Sequence, residues 1–457
     1  VRGYLNNFIF SLVCILHSEK IKEGCMKLLK IFTFATFLIV AIGAIAFGQG
    51  NAPSANSGDT AWMLTSATLV LLMTIPGLAL FYGGMVRGKN VISTIYYSVA
   101  AAFTVSITWV IYQYSIIFNG DIGGVIGNLD KLFLKGVTVN SVSGTIPEYV
   151  FVVFQMVFGI ITVALISGSI VERMNFGAWL IFILLWSLLV YTPLAHMVWG
   201  GGYIGATLGA LDFAGGLVVH TSSGVTALIL AIVLGERVRY GRDNILPHNI
   251  VYTFIGAGLL WVGWFGFNAG SGLASNGLAG NAWLVTNTAA AAAGISWMLI
   301  DYIVSRKVSL IGAVTGVVAG LVAITPASGF VNIGGAMFIG FTVSILSYIF
   351  VSKVKKALKY DDSLDAFGVH GVGGMWGALM TGVFADPSVG GKAGLLYGNP
   401  NQLLAQAISI LITILLVVVG TLISLFVTSL ITKLRVEPQE EVYGLDFSLH
   451  GEKAYEK

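Results

Sequence analysis

Residues 212–228 read DFAGGLVVHTSSGVTAL, and residues 362–379 read DSLDAFGVHGVGGMWGAL. Each segment sets an aspartate eight positions ahead of a histidine, Asp212 before His220 and Asp362 before His370, inside an apolar, glycine-rich run. An ionisable side chain at bilayer depth is costly, so it reads by default as part of a conduction or proton path. Two such frames, 150 residues apart, point to one pore built from two halves of the chain.

The composition around these frames is that of a membrane protein. The chain of 457 residues is 56% hydrophobic and 10% charged, with a mean hydropathy of +0.88, whereas soluble domains carry roughly a quarter charged residues. The net charge of +3 is small and says nothing for a nucleic-acid partner. Runs of about 20 apolar residues mark spanning helices. Eleven follow the N-terminal region, near 60–84, 91–118, 148–171, 177–198, 217–235, 250–268, 282–304, 309–325, 331–352, 367–385 and 402–432. The segments 309–325 and 367–385 are short and glycine-rich, and their pattern is the weakest.

Lysine and arginine fix the orientation, because cytoplasmic loops retain positive charge. One alternating set of loops, with the tail, holds Arg87, Lys89, Arg173, Arg237, Arg239, Arg242, Arg306, Lys307, Lys353, Lys355, Lys356, Lys359, Lys433 and Arg435. The opposite set holds Lys131, Lys135 and Lys392. Fourteen cations against three put the first helix's entry outside and the tail in the cytoplasm, which requires an odd number of crossings.

Upstream, the chain from Met26 reads MKLLKIFTFATFLIVAIGAIAFGQG. Lys27 and Lys30, an apolar core and the small residues Ala44 and Ala46 form a secretory signal peptide over 26–46, with a twelfth helix as the alternative. Lys22-Glu23-Gly24 could be encoded by a purine-rich ribosome-binding site just before the Met26 codon. Residues 1–25 are therefore read as an upstream stretch included by a misassigned start, which peptides from it detected by mass spectrometry in cells would refute. Both cysteines, Cys14 and Cys25, fall there, leaving the rest of the chain without a disulfide framework, thiolate metal site or cysteine nucleophile.

The expected fold is an all-α polytopic domain over 47–435 with a cytoplasmic tail over 436–457. The likeness of the two His segments makes helices one to five and six to ten two copies of one unit. Five is odd, so the second copy must insert upside down, and inverted repeats place the transport site at their interface near the midplane. The eleventh helix braces the bundle. Glycine clusters at 200–205, 265–272 and 368–374 let helices approach closely, and packing explains most of the 58 glycines.

A neutral imidazole has one donor and one acceptor nitrogen, so facing imidazoles can share a proton and fix each other's tautomers. The aspartates fit helix N-caps better than direct contact with a permeant. A metal is not indicated: no third or fourth ligand accompanies the histidines. WVGWFGFNAGS over 261–271 carries Trp264, Phe267 and Ser271; HMVWGGG carries Trp199; FVVFQMVF puts Phe154 and Phe158 one turn apart. Tryptophan at the interface is commonly a belt anchor. If these rings converge instead, their faces attract a small cation.

TIPGLALFYGGMVRGKN (74–90), AHMVWGGG (195–202), LDFAGGLVVH (211–220), GWFGFNAGS (263–271), DAFGVHGVGG (365–374) and GLDFSLHGEKAY (444–455) resemble signatures of the ammonium transporter family, relatives of the Rh proteins. The likeness runs from about Thr60 to Tyr455. It implies a homotrimer in a bacterial inner membrane, with one pore in each eleven-helix subunit and no enzymatic step or cofactor. It further implies that Phe158, Trp199 and Ser271, with Phe154 beside them, recruit ammonium at the outer mouth, and that Phe158 and Phe267 form a stacked gate. Trp264, His220 and His370 would line the pore below, and Asp212 would organise the site. Ammonium and potassium are close in size, but only ammonium can lose a proton; an apolar pore behind a cation-attracting mouth rejects the other by its desolvation cost. Methylammonium would share the path. The retained tail motif makes a PII-type regulator at the cytoplasmic face a further expected partner, although positive-inside topology suffices to explain the basic loops. Rival readings are an ammonium sensor of the same fold, disfavoured because the tail runs only about 25 residues past the last helix, and a channel for another neutral gas, disfavoured by the Trp199/Ser271 pair.

Overall fold

The computed structural model describes residues 54–242 and 245–455. The signal peptide and upstream stretch expected over 26–46 and 1–25 lie outside the described residues. The unit from Ala55 onward is helical apart from a two-stranded ribbon, β1 (Val142–Ser143) against β2 (Ile146–Pro147). Its first six helices are α1 (Ser57–Met85), α2 (Val91–Phe118), α3 (Glu148–Ser169), α4 (176–199), α5 (Gly216–Leu234) and α6 (Ile250–Gly270). There follow α7 (Gly277–Ser305), α8 (Leu310–Ile324), α9 (Ile333–Leu358), α10 (367–384) and α11 (Pro400–Ile431). Among the described residues, nine helices are long and apolar enough to cross a membrane. The two main helices outside that set, α8 and α10, lie in the two segments whose sequence pattern is weakest.

A helix end leaves backbone N–H groups without partners, and a side-chain oxygen can take them up. Asn56, Asn175, Asn249, Asn276, Ser309 and Asn332 do so for α1, α4, α6, α7, α8 and α9. These caps move boundaries that hydropathy alone misplaces. The helix expected from 282 starts at Gly277 because Asn276 accepts from Ala279 N–H. At the far end of α4 the helix stops at Trp199, and a side chain at the next residue, Gly200, would put its Cβ 1.9 Å from the Ile117 carbonyl oxygen.

The most enclosed helices are α3 and α5, each with 78% of its apolar window buried, against 33% for α7 and α11. The outer helices turn large apolar side chains outward, among them Phe103 and Ile107 on α2, Phe254 and Val262 on α6, and Leu411 and Phe426 on α11. In a soluble protein such faces would be aggregation-prone; around an enclosed core they suit a lipid surround.

Sequence periodicity gave no warning of five widened, π-type turns within α2, α4, α5, α9 and α10. Such turns concentrate at functional positions. The ones in α5 (Gly216–Thr221) and α10 (Phe367–Gly371) each contain one of the two histidines.

Candidate functional site

Both histidine turns begin on a carboxylate. Asp212 accepts hydrogen bonds from Gly215 and Gly216 N–H at 2.9 and 2.6 Å and from Leu217 and Val218 N–H at 2.8 and 3.2 Å. Asp362 accepts from Ala366 and Phe367 N–H at 3.2 and 2.8 Å. The side chains thus do locally what water does at an exposed helix start, and they set the phase at which each histidine leaves its helix. Just past the histidines α5 and α10 cross at backbone contact: a Cβ on Gly224 would lie 2.1 Å from Gly371 N, and one on Gly374 would lie 2.6 Å from the Gly216 carbonyl oxygen.

That crossing brings the two imidazoles together. His220 Nδ1 and His370 Nδ1 are 3.3 Å apart, and the rings lie 5.4 Å between centroids at 19°. A hydrogen bond between two neutral rings gives one of them the Nδ1 proton and makes the other the acceptor. The pair then offers one Nε2 lone pair and one Nε2–H elsewhere. Among the described residues the buried His220 Nε2 has no partner in the protein.

Above the histidines runs a series of rings. On α6, Trp264, Phe267 and Ser271 recur at spacings of three and four, one face of a helix. On α3, Phe154 and Phe158 are one turn apart, 5.0 Å between centroids. Phe158 and Phe267 stack at 4.2 Å and 10°. Trp199 meets Phe158 edge-on at 5.9 Å and 88°. On the other side Phe267 lies 6.0 Å from His220, and Trp264 stacks on His220 at 5.4 Å and 18°. The structure therefore joins Trp199, Phe158, Phe267, His220 and His370 in one contact series, with Phe154 and Ser271 adjoining it through Phe158 and Phe267. Burial changes along it: Trp199 and Ser271 are partly exposed, while Phe158, Phe267, His220 and His370 are 0–3% exposed. Beside the histidines lies a narrow cavity of about 10 Å³, about the room one water needs, walled by Met73, Leu78, Phe81, Ile161, Leu165, Leu260 and Val318.

Hydrogen bonds fix the ring orientations. Trp199 Nε1–H donates to the Asp212 carbonyl at 2.9 Å, tying the outermost ring to the start of α5. Trp264 Nε1–H donates to Thr325 Oγ1 at 2.9 Å. Thr325 in turn stands 3.3 Å from Asn268 Oδ1. The Ser271 hydroxyl donates to the Phe267 carbonyl at 2.9 Å, which leaves its oxygen lone pairs free to accept.

Thr325, Asn268 and Gly224 are supporting residues that the sequence reading missed. So is a buried ion cluster at the basic face. There Arg237 holds Asp361 through two nitrogens (2.8 and 2.9 Å) and Glu172 at 2.8 Å, Arg87 reaches Glu172 at 2.9 Å, and Arg173 reaches Asp361 at 3.2 Å. Burial alone would raise the Glu172 carboxyl, but Arg237 and Arg87 outweigh it and hold it at about 2. Asp361 is likewise lowered, burial being outweighed by Arg237 and Arg173. Counting cations had registered Arg87, Arg173 and Arg237 only as topological markers; their separation in sequence from Glu172 and Asp361 hid the pairing.

The fold and this series define an all-helical polytopic membrane protein with a buried two-histidine centre behind stacked aromatic rings. Residues 61–455 match the Ammonium Transporter Family. The chain is 48% identical over 413 residues to an ammonium transporter of Aquifex aeolicus (strain VF5), covering 90% of this chain and 96% of that one. It is 50% identical over 403 residues to an ammonium transporter of Bacillus subtilis (strain 168), covering 87% and 98%. Among solved structures, Saccharomyces cerevisiae Mep2 matches with a TM-score of 0.78 at 34% identity, covering 84% of this chain and 88% of that one. A structure titled Sensor Amt Protein matches with a TM-score of 0.80 at 31% identity, covering 86% and 98%. The chain belongs to the ammonium transporter family.

Proposed function

We propose that the chain captures ammonium where Trp199, Phe158, Phe154 and Ser271 meet, that at the Phe158/Phe267 stack the ion gives its proton to water at the outer mouth or to a separate relay, and that ammonia, with or without that relayed proton, passes His220 and His370. All eleven main helices cross the membrane in this reading, the first five and next five being inverted copies, with one pore in each subunit of a homotrimer. The partly exposed indole and phenyl faces attract a small cation, and Ser271 Oγ supplies an acceptor. The stacked rings exclude water, and a bare cation in so apolar a passage lacks the hydration it would lose. Ammonium escapes that cost by leaving a proton behind; potassium cannot. Beyond the stack, neutral ammonia hydrogen-bonds to imidazole edges and then meets only apolar walls. Asp212 acts through the backbone, holding the α5 turn and the carbonyl that anchors Trp199.

The observation that carries this reading is the pair of rings stacked at 4.2 Å directly against a buried His–His contact of 3.3 Å. The test is current and internal-pH recording on reconstituted protein during an ammonium jump and, separately, a potassium jump. Response to ammonium alone supports the reading; equal responses, or none, reject it. The likeness to a structure titled Sensor Amt Protein favours a second reading, detection of ammonium by the same site. Uptake of labelled methylammonium separates the two, since a detector without transport gives none. The same reading places the protein in a bacterial plasma membrane after loss of residues 26–46, its tail inside and open to a PII-type regulator.

A further inference from the structure

His196 is fully buried one turn before Trp199, and both its ring nitrogens face acceptors. Nδ1 is 2.8 Å from the Ile117 carbonyl oxygen at the end of α2, and Nε2 is 2.9 Å from Asp121 Oδ1 in the loop that follows. A carbonyl oxygen and a carboxylate only accept. Whichever nitrogen a neutral ring protonates, the other aims a lone pair at an oxygen lone pair. Both contacts hold together only when the pair carries one further proton, as imidazolium donating twice or as a carboxylic acid donating to Nε2.

The pair sits where it governs the outermost ring. The His196 carbonyl accepts from Gly200 and Gly202 N–H at 2.9 and 3.1 Å, closing the end of α4 around Trp199. Asp121 accepts from Gly124 N–H at 3.0 Å, and the Gly124 carbonyl accepts from Tyr203 N–H at 2.8 Å. Two strands of chain flanking Trp199 are thus tied to one imidazole. The packing leaves no slack, since a Cβ at Gly200 would meet His196 Nδ1 at 2.6 Å. On the same and neighbouring elements the other titratable groups are Tyr114, Asp130, Lys131, Glu148, Tyr191, Tyr203, Asp212 and His220. Tyr114 and Lys131 both bond Glu148, a group of their own. The Asp121 side chain is 48% exposed, so the proton exchanges with the solution on that side.

We propose that His196 and Asp121 form a proton-dependent latch that positions Trp199, making capture of the permeant sensitive to pH at the outer mouth. The inference rests on the reading of Trp199 as part of the recruitment site. His196 is a positioning residue; it acts on the permeant through Trp199.

The test is methylammonium uptake by the reconstituted full chain, with KM expressed on the cation and measured across outside pH at fixed inside pH. In the wild type KM rises several-fold as the outside turns alkaline and the latch proton leaves. Asp121→Asn flattens that rise, because its amide N–H donates to Nε2 while Nδ1–H keeps Ile117, and no further proton is needed. Asp121→Leu gives the high KM at every pH. Both substitutions lie in a partly exposed loop, and changes confined to kcat belong to the inner histidines. A wild-type KM profile in both Asp121 variants, with KM raised in Trp199→Ala, overturns the latch and spares the recruitment site. An unchanged KM in Trp199→Ala overturns the recruitment reading itself, and the latch with it.

Discussion

At the residue scale, each ring in the series has a neighbour that limits what it can do. His370 is held 3.3 Å from His220, and removing it leaves His220 Nδ1 without its partner in a buried site. His370→Ala is therefore expected to alter or abolish selective methylammonium flux in proteoliposomes while the protein still folds. Unchanged flux together with unchanged ammonium-over-potassium selectivity would discard the histidine role. Phe267 stacks on Phe158 and touches both Trp264 and His220. A buried aromatic pair adds about 0.5–1.5 kcal/mol beyond its area, and truncating a fully buried phenylalanine costs about 3–5 kcal/mol in all, so Phe267→Ala should lower the melting temperature in detergent. Its second effect is on conduction: water enters the gap, and potassium leak measured by flux assay rises above the wild-type background. A leak-free variant would mean that this stack is not the barrier.

At the scale of elements, the site depends on how closely α5 and α10 approach. Gly224 meets the Gly371 backbone with no room for a methyl group. Overpacking of this kind costs about 1–3 kcal/mol or more, and here the relief is to part the helices that carry the histidines. Gly224→Ala should abolish flux and lower the melting temperature in detergent. Gly258→Ala on α6, where a Cβ meets nothing within 4 Å, should change neither. The tail is likewise part of an element's architecture. Asp446 accepts from Ser93 N–H at 2.8 Å and Asn90 accepts from Leu445 N–H at 2.8 Å, so the first turn of α2 is capped by a segment some 350 residues later.

At the scale of the whole molecule, the buried cluster of Glu172, Arg237, Asp361, Arg173 and Arg87 joins the ends of helices distant in sequence. Removing the fully buried Glu172 carboxylate strands the Arg237 charge beside it, at a cost of about 3–5 kcal/mol. Glu172→Gln should therefore destabilise the protein far more than Glu437→Gln, whose carboxylate faces solvent, where it pairs with Lys433. The pH dependence has a definite sign. The Glu172 carboxyl is lower in the folded protein, at about 2 against an ordinary 4.5. Its contribution is complete above that ordinary value and is lost as pH falls toward 2. Thermal unfolding in detergent across that acid range should show a steep fall for the wild type and a shallower one for Glu172→Gln. Equal slopes would show that the cluster does not set acid stability.

The sequence by itself determined what local rules control. Apolar runs specify membrane helices because a bilayer demands internal backbone hydrogen bonding. The spacing of Trp264, Phe267 and Ser271 specifies one helix face, and the repeated aspartate-to-histidine frame marks two equivalent turns. Only the tertiary structure decided that the two histidine turns meet, that Phe158 on α3 lies flat on Phe267 of α6, and that Glu172 neutralises Arg237 and Arg87. These are contacts between segments far apart in the chain, set by glycine crossings, by widened turns and by caps no longer than one side chain. Periodicity carries no record of which face will oppose which, so that information exists only once the helices have packed.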